Sequence, residues 1–310
     1  MYMIDHNKKP ILVTGSHRSG STWTGRIIAL SPNVAYIHEP FNLYHRPGII
    51  KVKLNYWFPY ICDENDYFCF NAFKDCINFK YYWLDELRIA KSIKDIGRLL
   101  RDYFLTKKYA ILNKRPLVKD PIAVFSAEWL AKRFNMDVVV LIRHPAAFVG
   151  SLKKAKWKYP FIHFLKQPLL MQHYLSKYRP ILEEYSKKEK DIIEQAILLW
   201  NIIHYMILKY RDSNPNWIFV RHEDLSIDPI ENFRKLYMRL GLKFSPDIEK
   251  KISDYSFAGP QELNSNNLKR DSRKNIWSWK RRLTTEEIKK VKENTYAIAS
   301  QFYSEKDWAE

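Results

Sequence analysis

A short polar loop between an apolar run and a helical pattern is the feature that most restricts how this chain can fold. The loop spans Thr14 to Trp23 (TGSHRSGSTW) and directly follows the apolar run PILVTG. Gly15, four residues, Gly20 and then Ser21 have the spacing of a Walker A loop. In such a loop, main-chain N–H groups and a helix N-terminus bind phosphate. The spacing therefore predicts a buried strand, a phosphate loop and a helix, in that order.

The loop lacks one residue that a nucleoside triphosphatase needs. Ser21 stands where the lysine for the β- and γ-phosphates would be. The clearest later strand, 137–142 (DVVVLI), ends in Arg143-His144 rather than in an acidic residue that would hold Mg²⁺. Arg18 supplies positive charge inside the loop instead. These residues predict an anion site that handles a nucleotide without a metal ion.

The pattern of the rest of the chain predicts the surrounding architecture. Apolar runs alternate with helix-length amphipathic stretches, which indicates a parallel sheet covered on both faces. We predict an α/β fold with a phosphate-loop-like central parallel sheet of about five strands, in a single domain over 1–310. The predicted strands are 10–15, 34–38, 116–119, 137–142 and 217–221, and helical patterns lie near 21–30, 84–105, 122–134, 146–157, 187–211, 228–240 and 284–304.

Residues 41–83 depart from this alternation. They contain 14 aromatic residues, interspersed with proline and asparagine, and follow the second predicted strand. A long excursion in an α/β domain is more often functional than idle. We therefore interpret 41–83 as an insertion that contributes to a substrate groove, and an aromatic-rich core is the alternative interpretation.

The charge of the chain favours anionic partners. Lys and Arg number 52 against 34 Asp and Glu, a formal net charge of +18. Such a surplus suits nucleic acid, an anionic membrane, or phosphorylated and sulfated small molecules. The basic residues are scattered, which argues against a specific nucleic-acid-binding arm. Peripheral contact with an anionic membrane stays open.

The cysteines and the apolar runs bear on the compartment. Cys62, Cys69 and Cys76 are odd in number and seven apart, which is neither a zinc spacing nor a disulfide framework. No apolar run approaches the ~20 residues that span a bilayer, and the first residues lack the apolar region of a signal peptide. We expect reduced thiols, no bound metal, no transmembrane segment and a cytoplasmic location.

A second anion motif follows the fourth predicted strand. Arg143-His144-Pro145 leads into a helical pattern, and Ser151 lies eight residues after Arg143. Proline suits the first turn of a helix. A guanidinium at the strand end and a hydroxyl nearly two turns into the helix can hold one phosphate between them. The pair predicts a second phosphate site beside the loop.

The two motifs together resemble those of the sulfotransferase superfamily that uses 3′-phosphoadenosine-5′-phosphosulfate (PAPS). The loop resembles its 5′-phosphosulfate loop, and the second motif resembles its 3′-phosphate site. The resemblance implies metal-free, in-line transfer of a sulfonate from PAPS to a hydroxyl acceptor, with the 3′,5′-bisphosphate PAP as product. The donor-binding residues that it implies are Arg18, Ser19, Gly20, Ser21, Thr22, Trp23, Arg143, Ser151, Arg273 and Lys274.

Two of these assignments have a qualification in the sequence itself. Trp23 resembles a tryptophan that stacks on adenine, and a core tryptophan is the alternative. The segment from Arg273 to Lys280 resembles one that closes over the donor. It lacks the usual glycines, however, and its spacing is one residue shorter.

The resemblance is closer to the carbohydrate and tyrosylprotein branches than to the cytosolic small-phenol branch. Arg18 stands where many cytosolic members have lysine. The catalytic histidine of that branch has no counterpart, because the third predicted strand ends in Lys119-Asp120.

The chemistry requires a base for the acceptor proton and cations for the sulfonate and the bridging oxygen. We predict that Glu39, just after the second strand, is the base. Arg18 and Lys119 are the predicted cations, and a structural ion pair of Lys119 with a neighbouring acid is the alternative. His38, His45 and Asp120 are the other candidates for the base.

The acceptor is expected to be a glycan, a glycolipid or another small molecule. Two other functions remain open. A phosphate-loop nucleotide kinase or NTPase would need lysine at position 21, where the chain has Ser21. A basic module that binds nucleic acid or membrane without catalysis would have no need of Glu39.

Overall fold

The computed structural model describes residues 9–256, residue 273 and residues 276–309. Within this part of the chain, five strands pair in parallel to form one sheet, which confirms the predicted α/β fold. The sheet order is β2-β3-β1-β4-β5. The strands are β1 (Ile11–Gly15), β2 (Val34–His38), β3 (Arg115–Lys119), β4 (Asp137–Ile142) and β5 (Ile218–Arg221).

Helices cover both faces of the sheet. One layer contains α1 and α11 to α13, and the other contains α5, α6, α10 and α14. The α-helices of the described residues are α1 (Ser21–Ile28), α2 (Phe70–Ile77), α3 (Trp83–Ile89), α4 (Ile93–Ile111), α5 (Ala127–Phe134), α6 (Pro145–Ala155), α7 (Ile162–Leu165), α8 (Pro168–Leu170), α9 (Arg179–Lys187), α10 (Ile192–Ser213), α11 (His222–Ile227), α12 (Pro229–Arg239), α13 (Pro246–Ser256) and α14 (Thr285–Ala299).

The central strands are apolar because they have no solvent face. Every residue of β1 and β3 is buried, and β4 is buried from Val138 onwards. This burial explains why the sheet could be recognised from uninterrupted apolar runs. The one basic residue at the start of β3, Arg115, pairs with Asp137 at the start of β4.

The helical pattern predicted over 84–105 is two helices in the structure. Ala90 is extended and ends α3, and Ser92 caps the N-terminus of α4 by accepting a hydrogen bond from Asp95 N at 3.2 Å. The helix predicted over 122–134 begins instead as a 3-10 turn, Pro121–Ser126. The capping serine, which apolar periodicity does not register, sets the start of α4.

The aromatic residues of 41–83 divide into two groups. Phe41, Phe58 and Phe73 are almost completely buried and belong to the main core, as the alternative interpretation expects. Tyr44 and Tyr67 are each 84% exposed. The segment therefore adds to the core and also leaves aromatic side chains at the surface.

One helix within the described ranges, α10, has the length and apolar composition to cross a membrane, contrary to the expectation of no such run. Buried residues make up 67% of its apolar window, and they include Trp200, Ile203 and Ile207. It packs against α6 and α14 as the main helix of its layer.

The end of β1 tolerates only glycine. Gly15 has φ of 128°, and a Cβ there would lie 2.2 Å from the carbonyl oxygen of Leu141 in β4. Neither main chain can move without breaking the sheet. We expect Gly15→Ala to lower the free energy of unfolding by roughly 3 kcal/mol or more, as measured by urea unfolding.

Gly97 in α4 is the matched control, because no atom lies within 4 Å of a Cβ built there. Gly97→Ala should raise the free energy of unfolding by about 0.5–1 kcal/mol, from helix propensity. Equal effects of the two substitutions would contradict the proposed close approach of β1 and β4.

Candidate active site

Most of the predicted site residues that the structure describes lie at or just after the carboxyl ends of the strands. All five strands are parallel, so these ends meet at one edge of the sheet. β3 and β2 lie on one side of β1, whereas β4 and β5 lie on the other, so the strand order reverses between β1 and β4. In open α/β sheets, ligands bind at such a switch point. The phosphate loop follows β1 and Arg143 follows β4. The two predicted anion motifs therefore flank the switch point.

The backbone of the phosphate loop has the geometry of an anion cradle. Arg18 and Gly20 have positive φ, 63° and 84°, and α1 begins at the next residue, Ser21. Successive main-chain N–H groups in such conformations line a concave surface that binds anions. A Cβ at Gly20 would lie 2.3 Å from Nδ1 of His222, so the loop lies directly against the end of β5.

Buried hydroxyl groups in this loop have hydrogen-bonding capacity to spare. The side-chain oxygens of Ser16 and Ser19 are buried and have no hydrogen-bond partner among the described residues. Buried polar groups are normally hydrogen-bonded. Both oxygens therefore suit a ligand that supplies hydrogen-bonding groups at the loop.

The two anion motifs contact each other. Nε of Arg18 donates a hydrogen bond to Oγ of Ser151 at 2.9 Å, across 133 residues of sequence. Ser151 is predicted to hold a phosphate together with Arg143, and in the structure its hydroxyl is bonded to the arginine of the phosphate loop. The contact joins the two motifs into a single site.

A buried glutamate holds the end of β4. Oε1 of Glu223 lies 3.6 Å from Nε of Arg143 and accepts a hydrogen bond from His144 N at 3.2 Å. Its other oxygen, Oε2, accepts from the Tyr303 hydroxyl at 2.9 Å. No sequence motif predicts a role for Glu223. Its position sets that of the Arg143 guanidinium.

Arg282 is a further cation of the site that the sequence analysis missed. It follows the 3-10 turn Ser278–Arg281, which packs on α6 next to Gly150. Burial, followed by the nearby charges of Arg143 and Arg18, lowers the pKa of Arg282. The charges of Arg18, Arg143 and Arg282 are thus close enough to affect one another, and such a concentration of positive charge favours an anion.

The C-terminal residues of the predicted donor site are only partly described. Arg273 is exposed and donates from Nε to the carbonyl oxygen of Ile227, at the end of α11, at 2.9 Å. Lys274 lies outside the described residues. Trp279 is buried and stacks on His144, with ring centroids 5.3 Å apart.

The predicted adenine-stacking tryptophan packs against the protein. The Trp23 ring is half-buried and lies edge-on to Phe233, with centroids 5.1 Å apart, and to His222 at 5.9 Å. These contacts agree with the alternative interpretation of Trp23 as a core residue. Its role towards adenine stays a prediction.

Glu39 and Lys119 form an ion pair at the ends of β2 and β3. The Lys119 side chain is completely buried, and Oε1 of Glu39 accepts its hydrogen bond. Oε2 of Glu39 accepts from Asn42 Nδ2 at 2.9 Å. The ion pair foreseen as an alternative for Lys119 is therefore present, and its partner is the predicted base.

The electrostatics of this pair keep the Glu39 carboxylate ionised. Burial raises the pKa of Glu39, but the Lys119 charge and the hydrogen bonds from Lys119 and Asn42 outweigh burial and leave that pKa below its usual value. Burial lowers the pKa of Lys119, while Glu39 acts in the opposite direction. Glu39 can therefore accept a proton at neutral pH.

The other candidate bases are placed differently. Asp120 is buried, and its two carboxylate oxygens accept hydrogen bonds from Phe41 N at 2.6 Å and Ile122 N at 2.9 Å, while burial raises its pKa to about 7. These bonds fix the chain after β2 and β3. His38 is exposed and lies beside Tyr36. Nδ1 of His45 donates a hydrogen bond to the Asn42 carbonyl oxygen at 2.8 Å.

The three cysteines are free thiols. Cys62 lies close to a glutamate and a histidine, which the spacing of the cysteines in the sequence does not indicate. Cys69 and Cys76 are buried. Ligand atoms of Cys62, Glu64 and His173 lie within 4.8 Å of one another. Cysteine, histidine and glutamate can all bind zinc-like ions, and the expectation of a metal-free protein stays a prediction.

Comparison with known proteins identifies relatives of the chain. The model of the sulfotransferase family matches residues 10–246. A search of curated protein sequences finds no significant match. Solved structures that are similar to the chain include the sulfotransferase domain from the curacin biosynthetic pathway, with 16% identity, coverage of 95% of this chain and 97% of that one, and a TM-score of 0.49.

Two further similar structures are a bacterial and a mouse sulfotransferase. For sulfotransferase STF9 from Mycobacterium avium, the identity is 15%, the match covers 96% of this chain and 78% of that one, and the TM-score is 0.46. Mouse sulfotransferase SULT7A1, solved in complex with PAP, has 12% identity, coverage of 96% and 86% respectively, and a TM-score of 0.45.

The buried charge of Lys119 should make the stability of the fold depend on Glu39. We expect Glu39→Gln to lower the free energy of unfolding by roughly 3 kcal/mol, because an ammonium group is left without its carboxylate partner. The double variant Glu39→Gln with Lys119→Met should be more stable than that single variant, since no unpaired charge is left. Urea unfolding of the two single variants, Glu39→Gln and Lys119→Met, and of the double variant measures this coupling. Additive effects of the two substitutions would contradict a paired, buried Lys119.

Proposed function

This chain belongs to the sulfotransferase family, and we propose that it transfers a sulfonate from PAPS to a hydroxyl group of a glycan, glycolipid or other small molecule. The observation that carries the proposal is the 2.9 Å hydrogen bond from Arg18 to Ser151. It unites a phosphate loop without the Walker lysine and a second anion motif. A donor with phosphate at both its 5′ and 3′ positions needs two such anion sites side by side.

The donor's two charged ends would be held by different groups. The main-chain N–H groups of the loop, with the spare hydroxyls of Ser16 and Ser19, suit the 5′-phosphosulfate. Arg143 and Arg282 suit the 3′-phosphate, because guanidinium groups can bind phosphate through two parallel hydrogen bonds. Arg18, exposed in the loop and bonded to Ser151, lies between the two groups.

Glu39 and Lys119 have the chemistry that transfer requires. The Glu39 carboxylate is ionised and about one-fifth exposed, so it can accept the proton of an acceptor hydroxyl. Once Glu39 is protonated, its attraction for Lys119 weakens. The ammonium group can then donate to the oxygen that develops negative charge on the leaving bisphosphate.

The reaction balances with these groups alone. The acceptor oxygen forms a bond to the sulfur as the bond from sulfur to the 5′-phosphate oxygen breaks. The acceptor proton passes to Glu39, and PAP leaves with the bonding electrons. PAPS supplies an activated sulfonate, and the chain supplies position, a base and positive charge.

The acceptor side is formed by the segment after Glu39. Tyr44 is exposed, and its ring lies 5.6 Å from that of the half-buried Trp57. Flat aromatic faces suit sugar rings, phenols and lipid-linked molecules alike. Arg18 and Glu39, rather than these rings, favour the carbohydrate-type branch. We propose a single catalytic domain over 1–310 that works in the cytoplasm, with residues 41–83 contributing to the acceptor site.

Donor recognition has a direct test. Isothermal titration of the purified protein should show PAP binding without a metal ion, whereas ATP with Mg²⁺ should bind weakly or not at all. Arg143→Ala and Arg282→Ala should each weaken PAP by roughly ten- to a hundredfold, since a hydrogen bond to a charged group contributes about 1.5–3 kcal/mol. Arg281→Ala, which removes an exposed neighbouring arginine, should have little effect.

The 3′-phosphate assignment is tested with a second ligand. Adenosine-5′-phosphosulfate lacks the 3′-phosphate, so Arg143→Ala should leave its affinity nearly unchanged. An equal loss for both ligands would contradict the assignment. Binding of Mg-ATP alone would favour a nucleotide kinase over a sulfotransferase.

The role of Glu39 is tested by activity and its pH dependence. Glu39→Gln should lower transfer from labelled PAPS by roughly two to four orders of magnitude while PAP affinity is kept. His45→Gln, which alters the neighbouring candidate base, should have the smaller effect. Unchanged transfer in Glu39→Gln would exclude it as the base.

The sign of the pH effect follows from the hydrogen bond that Asn42 donates to Glu39. The pKa of Glu39 is lowered, so the acidic limb of kcat/KM should lie below the usual range of a carboxyl group. Asn42→Ala removes one stabilising hydrogen bond from the carboxylate. The acidic limb should therefore move to higher pH, and a limb that stays in place would assign it to another group.

A further inference from the structure

Helix α4 exposes a continuous row of large apolar side chains. Five residues spaced by three, four, four and seven positions fall on one face of the helix, because an α-helix has 3.6 residues per turn. Each is between 42% and 88% exposed in the described part of the chain. This row, which we call the apolar stripe, consists of Ile93, Ile96, Leu100, Phe104 and Ile111.

The preceding helix extends the same kind of surface. In α3, four large apolar side chains are between 43% and 53% exposed. They are Trp83, Leu84, Leu87 and Ile89. Exposed apolar residues are common singly, but nine of them on two consecutive helices indicate a surface that binds something.

Basic side chains lie beside the apolar stripe. Lys94, Arg101 and Lys108 recur every seven residues, which places them on one side of the stripe, and all three are exposed. Over 83–114 the chain has eight basic residues and four acidic ones. An outward apolar row with flanking lysine and arginine is the pattern of a helix that lies in the interface of an anionic membrane.

The inner side of these helices is held by apolar contacts and by ion pairs. In α4, Leu99 is buried and the Tyr109 ring lies 5.7 Å from that of Phe79 in the main core. Arg46, from the segment after Glu39, pairs with Glu86 of α3 and Asp102 of α4. Glu86 also accepts a hydrogen bond from Gly48 N at 2.9 Å. The two helices are therefore attached to the proposed acceptor segment by buried and half-buried ion pairs.

We propose that α3 and α4 bind the surface of an anionic phospholipid bilayer, with the apolar stripe entering the boundary between headgroups and acyl chains. The positive charge of this surface favours an anionic bilayer over a second copy of the chain. A two-fold dimer would place the same basic surplus against itself in a protein of net charge +18. An anionic bilayer neutralises these charges while it accepts the apolar side chains.

The orientation follows from the geometry of α4. Its 19 residues extend about 28 Å, so a helix lying flat presents all five stripe residues to one surface. The segment after Glu39 would then lie next to the lipid surface. If the proposed transfer reaction is correct, this arrangement favours acceptors that are attached to lipid.

Vesicle flotation tests the proposal without donor, acceptor or catalysis. The intact chain should float with vesicles of phosphatidylcholine mixed with phosphatidylglycerol and remain largely unbound to vesicles of phosphatidylcholine alone. Ile93→Ser combined with Phe104→Ser should weaken binding to the anionic vesicles by roughly tenfold or more, because two large apolar side chains no longer insert. Lys94→Gln, Arg101→Gln and Lys108→Gln together should weaken it and reduce its dependence on salt.

The matched control changes two apolar residues of similar exposure on other helices. Met238 of α12 and Tyr296 of α14 are 73% and 58% exposed, against 88% and 65% for Ile93 and Phe104. Met238→Ser with Tyr296→Ser should bind vesicles like the unaltered chain. Circular dichroism and unchanged thermal unfolding establish that each variant is folded.

Three results would overturn the proposal. They are failure of the unaltered chain to bind anionic vesicles, equal binding by the stripe variant and its control, and a dimer in sedimentation equilibrium that the stripe variant converts to a monomer. The last result would assign the surface to self-association. None of the three bears on sulfonate transfer, because transfer to a soluble acceptor does not require the membrane surface.

Discussion

The candidate site depends on how closely the phosphate loop packs against the ends of β4 and β5. Gly15 lies against the main chain of Leu141, and Gly20 lies against the ring of His222, with no room for a Cβ at either position. These two contacts position the loop from both ends. Arg18 lies between them, and from there it reaches Ser151. An insertion of side-chain volume at either glycine would separate the loop from the second anion motif.

The buried charge of Lys119 also constrains the structure of the site. The Lys119 side chain is completely buried at the end of β3, in a position where an ammonium group without a partner would be strongly destabilising. Glu39 supplies the compensating charge, so the ends of β2 and β3 are linked electrostatically as well as by main-chain hydrogen bonds. The same carboxylate is the proposed base. Protonation during transfer would therefore weaken a contact that stabilises the fold, and the base and the cation behave as one unit.

The sheet could be predicted, and the two motifs beside it recognised, because their signals are local in sequence. The uninterrupted apolar run of β4 is visible in the letters, and so are the glycine spacing of the loop and the arginine that follows β4. The ion pair of Lys119 with Glu39 was only an alternative. The strand order determines this ion pair, because β2 and β3 are neighbours in the sheet. In the sequence, 76 residues lie between the end of β2 and the start of β3.

Arg282 and Glu223 could not be assigned in the same way. Arg282 is one of 52 basic residues and belongs to no motif, and it enters the site only because the turn before it packs on α6 at Gly150. Glu223 acts through contacts with His144 and Tyr303, which are far from it in sequence. The break between α3 and α4 was different, because Ser92 and Asp95 form a capping pattern that the helical periodicity concealed.

The direction in which a helix faces is the feature that periodicity cannot supply. The spacing of the apolar stripe on α4 is the spacing of a core-facing helix, and from the sequence alone the two cannot be distinguished. The structure shows that α4 is attached through Asp102 and Leu99, with Arg46 as the ionic link, while the stripe faces outward. A helix that is held by ion pairs on its inner side does not need large apolar residues on its outer side for folding. Their presence there, next to a row of basic residues, is therefore best explained by a surface outside the protein that is both apolar and negatively charged.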